Sequence, residues 1–298
     1  MMNDARILYR RFALATAGLT VLAILLRTLS LCLFFDHSVG YVNAGLFPTL
    51  LYIAIALFVV LCAGYAYFAS KTEKATLLAV APDESASTPI LRYTSLVCAL
   101  AFVGATAAEL ALYGFAGTFP LLRHLAAIAA VLYFALPKQR RFALSGLGAI
   151  AYAIATIATE YFDWTVTLNS PIKLMQEAAL LSVALFVLVE LNHLNHTRRS
   201  IRYTVCAALC LFCGLVNGLP LLVASLVGNV AKPDYILHAL PSMAVALYAG
   251  ARLFASHEIE LPAPAEESEN APVGNASSDQ APTENSDIPQ SPSEEEEQ

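Results

Sequence analysis

The hydrophobic positions of this chain fall into long blocks, not into the alternation of half-buried strands. Eight blocks are read: 12–35, 48–69, 92–115, 120–136, 142–160, 172–195, 203–227 and 233–254. A helix rises about 1.5 Å per residue and the hydrocarbon of a bilayer is about 30 Å thick, so about 20 mostly apolar residues are needed to cross it. The fourth and fifth blocks lie near the lower limit of that length, and the others exceed it. The sixth shows the pattern best: Ala178 to Val189 carries no charge, Glu177 sits near one end, and Glu190 and His193 sit near the other. The pattern predicts an all-α fold, a polytopic integral membrane bundle of about eight transmembrane helices. Residues 1–11 form a basic N-terminal segment, 12–254 the transmembrane domain, and 255–298 a polar tail.

Composition supports a bilayer as the solvent. The chain is 58% hydrophobic and 13% charged, with a mean hydropathy of +0.62. A soluble domain is nearer a quarter charged. Too few polar residues are present to cover one water-soluble core. The first block is long for a secretory leader and has no small-residue cleavage signature after it, so it is read as a retained helix.

The formal charge of −6 is the sum of two opposed parts. Residues 1–252 hold all 17 Lys and Arg and 11 acids, leaving +6, whereas 253–298 hold 12 acids and no Lys or Arg. The tail, rich in Pro, Ala, Glu and Ser, has little apolar surface to offset ordering entropy, and disorder is expected. It suits a solvated tail or a docking segment for a cytoplasmic protein. Basic residues alternate between the two sides of the predicted bundle: 13 on the side of the N-terminus and two, Lys173 and Lys232, on the other. The positive-inside rule then puts both termini in the cytoplasm of a cell-membrane protein. A cytoplasmic tail also makes the glycosylation sequon at Asn275 inoperative.

Inward-running blocks open on or beside a proline: Pro48, Pro120, Pro171 and Pro233. Proline suits a first helical turn, where its missing N–H would have no partner. Gly45-Leu-Phe-Pro48 resembles Gly117-Thr-Phe-Pro120, but the prolines are unevenly spaced, so shared capping accounts for the likeness better than repetition does.

Charge inside a span costs a few kcal/mol on insertion scales and calls for a reason. Arg27, Glu109, Arg123 with His124, Glu160, Glu177 and His238 all fall toward the predicted outer third. One reading is an outward-facing polar cavity in which Arg27 and Arg123 pair with Glu109 and Glu177 and bind a small solute or ion. The others are ion pairs that only fix helix packing, or side chains snorkelling to nearby headgroups. Asn217, in Gly214-Leu-Val-Asn217-Gly218-Leu-Pro220, sits mid-span, where the proline and glycines predict either a broken, site-forming helix or a close-packed kinked one. Candidate ligand-binding residues are therefore Arg27, Glu109, Arg123, Glu177, Asn217 and His238. Glu190 and His193, at i and i+3, allow a weaker reading as an intramembrane enzyme, but no second such pair supplies further metal ligands.

Six cysteines all lie in apolar stretches and are read as small filler, with no disulfide framework, metal or cofactor implied. No phosphate loop, dinucleotide fingerprint or Gly-x-Ser-x-Gly elbow is present. The basic residues flank membrane spans and form no nucleic-acid face. What remains is a solute-binding or transport protein, or a membrane scaffold or sensor subunit. The orientation is testable by thiol labelling: Ser200→Cys in intact cells reacts only with membrane-permeant reagents, and labelling by an impermeant one reverses the topology.

Overall fold

The computed structural model describes residues 2–36, 41–72, 89–114, 118–136, 143–162, 170–195, 201–228 and 233–255. Eight helices account for nearly all of them: α1 Met2–Phe34, α2 Leu46–Thr72, α3 Pro89–Tyr113, α4 Thr118–Ala135, α5 Ala143–Tyr161, α6 Pro171–Asn195, α7 Ile201–Leu226 and α8 Pro233–Ala255. The acidic tail beyond Ala255 lies outside the described residues.

Three details refine the sequence reading. The basic segment 1–11 runs into the first span as one helix, since α1 is helical from Met2. Arg6, Arg10 and Arg11 are good helix formers and no Gly or Pro interrupts them. The connection after α1 carries a two-residue antiparallel ladder, with Phe35 opposite Val42 and Asp36 opposite Tyr41. And α7 is helical from Ile201 to Leu226 with Pro220 inside it, so of the two readings of the Asn217 motif the broken helix does not hold. One proline removes a single ladder bond, and twenty-odd flanking helical residues hold the helix through it.

Seven of the eight helices are long and apolar enough to cross a membrane. The eighth, α5, is 19 residues long and diluted by Ser145, Gly146, Gly148, Thr156 and Glu160. Large apolar side chains cover the outside, among them Ile53, Leu57 and Val60 of α2, Leu100 of α3 and Leu132 of α4. This inverted surface suits lipid, where a helix satisfies its own backbone bonds and apolar side chains need no cover.

Helices α3, α4, α5, α6, α7 and α8 form a closed circuit, each packed on the next and α8 on α3. α1 packs on α7 from outside the circuit, and α2 packs on α1. Contacts between helix starts and helix ends show the alternating direction. Tyr9 near the start of α1 donates to the carbonyl of Leu253 near the end of α8, and Ser95 near the start of α3 donates to the carbonyl of Phe134 near the end of α4. The face that holds the start of α1 and the end of α8 is the near face, and the opposite one is the far face.

Small residues let the circuit close. A Cβ at Gly214 would lie 2.6 Å from the Ala246 Cβ and 2.9 Å from the Ser242 carbonyl oxygen, and one at Gly218 would lie 2.9 Å from the Met243 Cβ. On α8 the facing residues Ser242, Ala246 and Gly250 recur every fourth position, so α7 and α8 meet almost backbone to backbone. Gly148 does the same for α5 against Ala126, Ala129 and Ala130 of α4. Without a hydrophobic drive between helices in lipid, this close contact supplies the dispersion energy that holds them together. Gly214→Leu therefore destabilises the detergent-solubilised protein by about 1–3 kcal/mol. Gly104→Ala, in open space, leaves it unchanged or gains about 0.5–1 kcal/mol, both read as thermal unfolding midpoints.

Candidate functional site

Buried polar side chains gather in three places. The first is on the near face. Glu190 of α6 accepts hydrogen bonds from Tyr203 of α7 at 2.6 Å, from Tyr248 of α8 at 3.0 Å, and from Arg252 of α8 at 2.6 Å. Arg252 also donates from Nε to the Tyr248 hydroxyl at 3.0 Å. Both carboxylate oxygens are occupied and the ion pair is buried, with Glu190 at 1% exposure. This is a lock between three helices. The acid is held by these three donors within the protein. The His193 side chain lies outside the described residues.

The second cluster lies toward the far face and joins four helices of the circuit. Glu109 of α3 pairs with Arg123 of α4, with His124 Nδ1 4.0 Å from its other oxygen. Arg123 Nη1 lies 2.9 Å from His238 Nε2 of α8, and His238 Nδ1 lies 2.9 Å from Glu160 of α5. A guanidinium can only donate, so Nε2 of His238 accepts and the ring hydrogen sits on Nδ1, donated to Glu160. The result is a continuous line of polar contacts, Glu109–Arg123–His238–Glu160, closed across the inside of the circuit.

The third place is the side of the bundle where α1 meets α6 and α7. Arg27 of α1 donates to Asn217 of α7 at 3.4 Å, and Asn217 donates its amide to Gln176 of α6. Arg27 is 4% exposed and Asn217 is 0% exposed. The Nε of Arg27 and the Nε2 of Gln176 have no hydrogen-bond partner among the described residues, and no described carboxylate pairs with Arg27. Arg27 lines a cleft of about 420 Å³ between α1, α2, β2 (Tyr41–Val42) and the start of α6. Its walls are mainly apolar, with Leu31, Leu51, Ile55, Ile172 and Met175 among them, and its polar lining includes Ser30, Asn43, Thr49 and Tyr52.

The six expected site residues are thus divided. Glu109, Arg123 and His238 come together, and Arg27 and Asn217 come together elsewhere. The expected pairing of Arg27 with Glu109 does not form, because α1 packs on α7 outside the circuit while Glu109 faces α4 within it. Glu177 is half-buried and has no hydrogen bond or ion pair among the described residues. Gln176, Arg252, Tyr203 and Tyr248 are members the sequence reading did not select, and Glu160 was placed at this depth without being named a binding residue. The i,i+4 spacing of Tyr248 and Arg252 was the available signal. Among the described residues no group of three His, Cys, Asp or Glu could hold a metal ion.

Breaking the near-face lock strands a buried charge. Glu190→Gln is expected to cost about 3–5 kcal/mol, whereas Glu190→Met combined with Arg252→Met recovers most of it. Thermal unfolding of the three proteins checks this, and equal loss in single and double variants speaks against the pair. Compared with known proteins, the chain matches no family model, none of the curated proteins and none of the solved structures.

Proposed function

We propose that this protein binds a small solute or ion inside a membrane, in the cleft lined by Arg27, as the substrate site of a transporter or the ligand site of a receptor-like subunit. One observation carries the reading: a buried guanidinium lines a cleft of about 420 Å³ with no carboxylate among the described residues to neutralise it. A buried charge without a partner is costly, and proteins rarely keep one that nothing uses. The volume falls within the roughly 300–1,000 Å³ of small-molecule sites. On the positive-inside reading the cleft opens toward the outer face of the cell membrane, with both termini cytoplasmic and the acidic tail free to meet a cytoplasmic protein.

A scaffold or sensor subunit is the second reading. It is favoured by the two other clusters, whose partners are supplied within the protein and which tie together α3, α4, α5, α6, α7 and α8. In that reading the charges only fix helix packing.

Water access separates the two. Thr49 lines the cleft and is exposed. With the unsubstituted protein as background, Thr49→Cys is expected to react with a charged methanethiosulfonate reagent, and faster with an anionic one than with a cationic one. Adding Arg27→Gln removes that preference. No reaction with either charged reagent defeats the solute-binding reading and leaves the scaffold.

A further inference from the structure

Resting on that reading, we infer that the ligand of the Arg27 cleft is a monoanion with an apolar body, an aliphatic carboxylate of short to medium chain length. Charge decides the head group. Arg27 is the one charged side chain among the described residues that line the cleft. Its guanidinium has unused donor capacity, since Nε is unpartnered among the described residues and the hydrogen bond to Asn217 is a long 3.4 Å. A planar fork of N–H donors matches a carboxylate in two parallel bonds. A single cation neutralises a single negative charge, which suits a carboxylate better than a doubly charged phosphate.

Other donors point the same way. The hydroxyls of Ser30 and Thr49 are spent on the carbonyls of Leu26 and Gly45, so neither hydrogen is available to a ligand. Tyr52 has no hydrogen bond among the described residues, and its hydroxyl is free to donate. The first turns of α2 and α6 reach the cleft through Pro48 and through Pro171 and Ile172. The positive ends of two helices therefore add to the charge of Arg27, and both favour an anion.

The walls decide the body. Leu31, Leu51, Ile55, Ile172 and Met175 offer aliphatic surface to a chain extending from the head group. A small hydrophilic anion would leave that surface without contact, and a neutral apolar molecule would leave Arg27 unpaired. About 420 Å³ holds one short chain and excludes the two chains of a phospholipid.

The probe is hexanoate, added to the full chain in phosphatidylcholine nanodiscs and followed by calorimetry and by the unfolding midpoint. Hexanoate is expected to bind one to one, roughly ten- to a hundredfold more tightly than 1-hexanol and more tightly than acetate, since a charge-assisted contact and an apolar one are each lost in turn. Arg27→Gln abolishes the preference for hexanoate over hexanol, and Arg27→Lys retains part of it. The alcohol comparison on the unsubstituted protein needs no variant to fold. Equal binding of hexanol and hexanoate, equal binding of acetate, or an unchanged preference in Arg27→Gln overturns the inference. So does loss of hexanoate binding when phosphatidylglycerol replaces phosphatidylcholine, which assigns the cleft to a lipid headgroup. If hexanoate fails while Thr49→Cys still reacts with anionic reagent, the carboxylate assignment falls and the solute site stands. If neither occurs, both fall.

Discussion

A charge carried into hydrocarbon must be met by a group from the protein, because neither water nor lipid tails will answer it. That constraint organises this bundle more than any apolar contact does. Glu190 and Arg252 fasten α6 to α8 at the near face, with Tyr203 drawing in α7. Glu109, Arg123, His238 and Glu160 fasten α3, α4, α8 and α5 toward the far face. The two clusters engage all six helices of the circuit, one from each end. Each member specifies which helix must stand opposite it, a selectivity that Leu or Ala against lipid-like surroundings cannot provide.

Close packing supplies the complementary term. Gly214 and Gly218 bring α7 within van der Waals contact of α8, and the buried ions are then held at fixed separation by a rigid pair of helices. Arg27 stands apart from this arrangement. It sits on α1, outside the circuit, and its one hydrogen bond among the described residues goes to an amide of α7. Every other buried guanidinium among the described residues has a carboxylate, and Arg27 has a cleft instead. Lys173 is also buried with its ammonium unpartnered among the described residues, but it does not line the cleft; unmet charge together with an adjoining cavity is what directs the proposal to Arg27.

Depth was readable without coordinates. Counting residues from the ends of apolar blocks put Arg27, Glu109, Arg123, Glu160 and His238 toward the same side of the membrane, and their contacts agree with that level for the linked ones. Partnership was not readable. Arg27 and Glu109 share a depth, yet rotation of each helix about its axis and the order of helices around the bundle put them against different neighbours. Glu190 and Arg252 lie 62 positions apart in the chain, and no local spacing links them. The motif around Asn217 was ambiguous between a broken and a close-packed helix, and the facing residues Ser242, Ala246 and Gly250 decided it for packing.

The amino-acid sequence alone determined that the chain is helical and lipid-facing, and how far along each helix its charges sit, because hydrophobic length and helical rise are properties of a single segment. Tertiary structure alone decided which charges neutralise one another and which one faces an open cleft. Those outcomes depend on how segments far apart in the chain are turned toward each other, and a one-dimensional pattern holds no record of that rotation.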